Sequence, residues 1–160
     1  MSDTAPAAIA SDARTYILFG VAGTTYAAPS RQVRHIEMVD DVTAVPNAAP
    51  HVEGVVFSRG QVVPVVNLRV RFGFDRGERG IKTRLLVVDA DGRRVGLLAD
   101  EAREFITIPE AAVQPPAASI SGLNGNYIEG IATLGERIVL ILNIQSVLDA
   151  TPLTPAPQAS

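Results

Sequence analysis

Apolar residues along the chain gather in short runs of strand rather than helix length: TYILFGV, VRHIEMV, GVVFS, QVVPVVNL, TRLLVVDA, RRVGLLAD, REFITI, NYIEGIATL and RIVLILNI. Val, Ile and Leu dominate the runs and turn residues separate them, a pattern that predicts β-strands. The stretch from Gly54 to Phe72, GVVFSRGQVVPVVNLRVRF, is too continuous for an exposed strand and too β-branched for a helix, yet Ser58-Arg59-Gly60 interrupts it. Asp91-Gly92 and Gly135-Glu136 predict tight turns, each joining an antiparallel pair. Pro64 cannot donate to a ladder, so it belongs at a bulge or on an edge without a partner strand, where a curled sheet bends. The polar, glycine-rich stretch Gly73 to Lys82 predicts a mobile loop between two groups of strands. A short helix is predicted over Asn143 to Ala150, with Ile144, Val147 and Leu148 on one face.

In VRHIEMV, Val33, His35 and Glu37 alternate with Arg34, Ile36 and Met38, so the two sets are expected on opposite faces. Ile36 and Met38 fit the core side, which leaves Val33 exposed beside His35 as a small apolar patch of the kind that binds partners.

Residues 1–14 and 151–160 are rich in Ala, Pro, Ser and Thr and predict disordered tails around one domain over residues 15–150. The 160 residues are 47% hydrophobic, enough for one domain or two small subdomains with a common core. A net charge of -3 leaves no basic surplus for tracking phosphates, and aromatics at 5% supply few stacking platforms, so no nucleic-acid partner is expected. Cysteine is absent, which excludes disulfides, thiolate nucleophiles and Cys-ligated metals. The N-terminus lacks a signal-peptide pattern and no segment has the apolar length to span a bilayer, so a cytoplasmic protein without membrane insertion is expected.

The search for reactive chemistry is mostly negative. His35 and His51 form no metal-ligand spacing, and the glycine pairs at Gly20/Gly23 and Gly122/Gly125 match no phosphate-binding pattern. Asp89, Asp91 and Gly92 lack the rest of a calcium loop, while Asp40-Asp41 and Asp100-Glu101 are neighbours that point to opposite faces of a strand. No catalytic residue, cofactor or metal is expected. An interaction module, an enzyme with scattered site residues and a small-ligand barrel remain as classes.

Three segments in order carry a family resemblance: YILFGVAGTTYAAPSRQVRHIEMV, VPNAAPHVEGVVFSRGQVVPVVNLRVRFG and NYIEGIATLGERIVLILNIQSVL. Together they resemble the CheW-like domain, the adaptor of bacterial chemosensory arrays, over Tyr16 to about Leu148. The resemblance implies an all-β fold of two intertwined five-stranded SH3-like barrels sharing a hydrophobic core, with a short C-terminal helix. It implies a non-enzymatic adaptor, cytoplasmic and recruited to membrane-associated receptor arrays. Its partners would be the regulatory domain of a CheA-type histidine kinase and the cytoplasmic tip of chemoreceptors. An adaptor of a pilus-type or other non-flagellar pathway is the alternative. By this resemblance Arg59 and Gly60 match the family's Arg-Gly turn, Gly54 the glycine opening that strand, and Val33, Ile36 and Phe105 apolar contact positions. Arg59 would then offer its guanidinium to a partner carboxylate or carbonyl, or pair internally and fix the two barrels against each other. This chain departs from the family in having Phe57-Ser58 where Asn-Leu is common. It also has His35 where an acidic residue is frequent, a change that bears on partner choice more than on folding.

Overall fold

The computed structural model describes residues 13–39, 41–116 and 127–149. The segments expected as tails lie almost wholly outside them. Among the described residues, eleven strands build two sheets. In the first, β1 (Ala13–Val21) forms a hairpin with β2 (Thr24–Pro29), and β8 (Glu101–Pro109) pairs along the other side of β1. The parallel neighbour of β2 is β11 (Arg137–Leu142), itself in a hairpin with β10 (Ile128–Leu134), beyond which lies the two-residue β9 (Val113–Gln114). The second sheet begins with β3 (Val33–Met38) against the hairpin of β6 (Arg84–Ala90) and β7 (Arg93–Ala99). It continues with β5 (Gln61–Asn67), parallel to β7, and ends on β4 (Val52–Ser58). The chain thus starts in one sheet, builds the whole of the other and returns to complete the first.

Three apolar clusters explain the unbroken runs. One belongs to the first sheet, with Tyr16, Leu18, Ala27, Ile108, Val139 and Ile141. Another belongs to the second, with Val56, Val63, Val65, Leu85, Val87 and Leu98. The third and largest takes Ile17, Phe19 and Val21 from β1, Leu86 and Val88 from β6, Val95 and Leu97 from β7 and Leu142 from β11. Alternate residues of β1 and β6 therefore enter a private core and the shared one. A strand wet on one face would alternate, whereas these are dry on both. Ile144, Val147 and Leu148 of the expected helix, Ile144–Asp149, join the shared core.

The two sheets have a five-strand arrangement in common, a flanking strand, a hairpin, and a second hairpin joined in parallel, to which the first sheet adds β9. Val52–Leu68 and Ile128–Ile144 match residue for residue without a gap. Both copies have a bulge at the Glu-Gly step, Glu53-Gly54 and Glu129-Gly130. Both end on an asparagine cap: Asn67 Oδ1 accepts from Val70 N at 3.3 Å, Asn143 Oδ1 from Ser146 N at 3.1 Å. The Asn67 N–H donates to His51 O at 2.7 Å, and that of Asn143 to Tyr127 O at 2.8 Å.

Some expectations are corrected. β2 was not distinguished in the apolar pattern because Ala27, Ala28 and Pro29 give little of it, yet both alanines are fully buried. Leu68–Arg71 forms one helical turn where the pattern ran on as strand. Pro64 lies inside the sheet, but its missing N–H is not needed. Its partner Val55 exchanges both backbone hydrogen bonds with Thr43, so Val55 and Pro64 are a non-hydrogen-bonded pair, and the ladder to β7 begins only at Val65. The stretch 73–82 has no strand or long helix, as expected, but it is anchored: Arg76 pairs with Glu53 and donates to Pro50 O at 2.9 Å.

Candidate partner-binding site

β3 and β4 are the outermost strands of the second sheet, and side chains rather than a backbone ladder join them. β3 contains a bulge: Val33 pairs with Val88, His35 with Val87 and Ile36 with Leu86, leaving Arg34 as the extra residue. Directly opposed residues share a face, so the bulge turns both Val33 and Ile36 toward the shared core while His35 and Glu37 face the private one. The simple alternation expected for VRHIEMV therefore fails. Val33 is half-buried against the core with Ile36, and Met38, expected inside, is 66% exposed.

His35 and Glu37 meet Ser58 at the end of β4. Ser58 Oγ donates to Glu37 Oε2 at 2.5 Å and lies 3.2 Å from His35 Nε2, which is itself 2.5 Å from the same carboxylate oxygen. Arg59 Nε is 3.8 Å from that oxygen, beyond hydrogen-bond range, and its side chain is 70% exposed. Arg59 has φ 50° and Gly60 φ 83°, the two positive values of a tight hairpin turn, closed by Ser58 against Gln61. The internal partner of Arg59 thus lies in its own sheet. It does not fix one barrel against the other. Ser58 is buried and hydrogen-bonded, whereas Phe57 is 75% exposed opposite exposed Val62.

Arg31, Val33, Arg34, His35, Arg59 and Arg94 line one open depression beside this cluster. Asp89 holds two of the arginines, Arg94 through Nε and Nη2 at 2.8 and 3.2 Å and Arg34 at 3.5 Å. The hydrogen bond from Arg94 keeps the Asp89 carboxyl below the usual carboxylate range. Of the expected contact residues, Val33, His35 and Arg59 line the depression and Gly60 adjoins it. Ile36 lies on the core side of β3. Gly54 sits at the β4 bulge with φ 145°, where a Cβ would come 2.1 Å from Thr43 O, so its position is set by packing. Phe105 is 57% exposed on β8, in the other sheet. The partners missed from sequence are Glu37 and Ser58. Arg34, Asp89 and Arg94 were also missed, although Asp89 and Arg94 sit opposite each other in the hairpin foreseen at Asp91-Gly92.

A second polar cavity, about 170 Å³, lies under residues 76–79, lined among others by Glu53, Arg69, Arg76 and Asp100. Two ion pairs cross it, Arg69 with Asp100 at 2.9 Å and Arg76 with Glu53. Among the described residues no three His, Asp or Glu side chains cluster as a metal site, and no helix is long and apolar enough to cross a membrane.

The family model of the CheW-like domain matches residues 15–151. The chain belongs to the CheW-like family. It is 32% identical over 133 residues to the chemotaxis protein CheW of Bacillus subtilis (strain 168), covering 83% of this chain and 85% of that protein. It is 32% identical over 116 residues to protein FrzA of Myxococcus xanthus, covering 71% of each. The solved structure of scaffolding protein TtCheW from Thermoanaerobacter tengcongensis superposes with a TM-score of 0.81 at 23% identity, over 89% of this chain and 96% of that one. That superposition bears out the expected all-β, two-unit CheW-like fold.

Proposed function

We propose that this CheW-like chain is a non-enzymatic adaptor, held in the cytoplasm at receptor arrays, that couples transmembrane chemoreceptors to a CheA-type histidine kinase. Family membership supports the class. The observation that carries the site is the exposed Arg59 guanidinium, displayed on a tight turn and out of hydrogen-bond range of Glu37. A guanidinium displayed on a tight turn, with its donors unsaturated, can grip a partner's carboxylate or carbonyl. Val33, His35 and Gly60 border the same grip, and Phe105 offers an apolar contact on the other sheet. Gly54 and Ile36 support the site from within.

The test is reconstitution: receptor fragments, kinase and this protein are mixed, and kinase autophosphorylation and co-sedimentation are measured. Receptor-dependent kinase activity that requires this protein is expected. Activity equal with and without it would overturn the reading. Loss of swimming chemotaxis on deletion distinguishes a flagellar pathway from the pilus-type alternative, in which twitching would be affected instead.

A further inference from the structure

We propose that the depression formed by Arg31, Arg34, Arg59 and Arg94 docks an acidic stretch of polypeptide, with Val33 as its apolar contact. Four guanidiniums border it, and the carboxylates that face them are Glu37 and Asp89. The local charge is therefore positive on a chain whose formal net charge is -3. Arg31 makes no ion pair or hydrogen bond among the described residues, Arg34 is half exposed and its Nε is 3.5 Å from Asp89, and Arg59 projects into solvent. Asp89 is already engaged by Arg94 on both oxygens. Its contact with Arg34 is a long ion pair without a hydrogen bond, so donor capacity is left over on three of the four arginines.

The arrangement favours a polypeptide over other anions. The guanidiniums come from the turn before β3, from β3, from the β4–β5 turn and from β7, spread around an open floor rather than converging on one point. Such a spread suits successive carboxylates, each held by a fork of N–H donors. A single phosphate would need convergent donors. Duplex nucleic acid or an anionic membrane would need a basic field larger than an acidic protein with one local patch supplies. Val33 adds a short apolar contact that a free anion would not use.

The identity of the protein carrying the acidic stretch rests on the adaptor reading; the chemistry of the depression does not. A fluorescently labelled oligoglutamate peptide is titrated by anisotropy at low salt, with an oligoglutamine peptide, inorganic phosphate, anionic phosphatidylglycerol vesicles and duplex DNA as parallel probes. Saturable binding of oligoglutamate alone is expected, weakening as salt rises. The Arg31→Glu/Arg34→Glu variant should bind it about tenfold more weakly or worse, with an unchanged circular dichroism spectrum and melting temperature. Equal binding by that variant, no saturable binding, or preference for phosphate, vesicles or DNA would overturn the proposal. If the variant does not fold, Arg31→Gln alone, at an exposed position without an ion pair, is used with the same expected direction. Binding of the kinase regulatory domain by the unaltered protein is measured alongside. Its retention without peptide binding sinks the acidic-segment proposal alone, and its absence sinks the adaptor reading.

Discussion

Arg59 holds a backbone conformation that costs a residue with a Cβ about 1–2 kcal/mol, and its counterpart in the repeated hairpin is Gly135, at φ 66°. The fold would accept glycine at both places, so the arginine stands against local preference. Strain of that kind points to a use. We expect Arg59→Gly to keep stability within about 1 kcal/mol, because relief of positive φ offsets the extra freedom of the unfolded chain. Affinity for the kinase regulatory domain or receptor tip should fall. Denaturant unfolding and a binding titration check the two halves separately.

His51 is a different kind of residue. It is buried, its Nε2 finds no partner among the described residues, and burial, followed by the charge of Arg71, lowers its pKa from the ordinary 6.5. The unfolded chain binds that proton more readily, so stability is full above pH 6.5 and is lost as pH falls through the lowered native pKa. The slope within the window approaches about 1.4 kcal/mol per pH unit. His51→Gln should remove this component from the pH dependence of the melting temperature. An identical profile in the variant would show that His51 is not its source.

At the scale of elements, the bulge at Arg34 is decisive, because it places Val33 and Ile36 on one side of β3. A carboxylate at either position would be driven into apolar surroundings, whereas Met38 is exposed. Val33→Asp and Ile36→Asp should both lower the melting temperature by several degrees, and Met38→Asp should leave it nearly unchanged. The β4 bulge has its own signature residue. Gly54→Ala puts a Cβ against the backbone of Thr43, which cannot yield, and a loss of about 3 kcal/mol is expected. At the matching bulge, the added methyl of Gly130→Ala meets the tip of the Val113 side chain at 2.7 Å on a two-residue edge strand. That contact can shift, and a smaller loss is expected.

For the whole molecule, the largest core belongs to both sheets, and the first sheet is not complete until β11 is made. Neither unit can bury its inner face alone. Unfolding should therefore be a single transition, with far-ultraviolet circular dichroism and tyrosine fluorescence coinciding, the chain having no tryptophan. Two resolved transitions would show that the units fold independently. An aromatic column supports the coupling: Phe19, Tyr26, Phe72 and Tyr127 follow one another at 6.0, 5.0 and 5.7 Å, and Arg71 lies 4.8 Å over the last ring.

The sequence by itself determined most of the strands, the hairpin at Asp91-Gly92, the terminal helix and the CheW-like family, whose resemblance implied the shared core, because periodicity, turn chemistry and motif order are properties of neighbours along the chain. It also contained the repeat of Val52–Leu68 in Ile128–Ile144, legible as Val-Glu-Gly-Val against Ile-Glu-Gly-Ile and as Asn67 against Asn143. The tertiary structure alone decided the rest. A bulge is a property of two paired strands, so the side of β3 that Val33 occupies is fixed only once β6 lies beside it. Burial of Ala27 and Ala28 depends on what packs over them, since alanine carries too little apolar surface to mark a strand. Ser58, Glu37 and His35 are brought together by closure of one sheet edge on another, and Arg31, Arg34, Arg59 and Arg94 come from four separate elements. Linear spacing cannot encode such meetings, because the contacts form through space between strands whose order differs from their order along the chain.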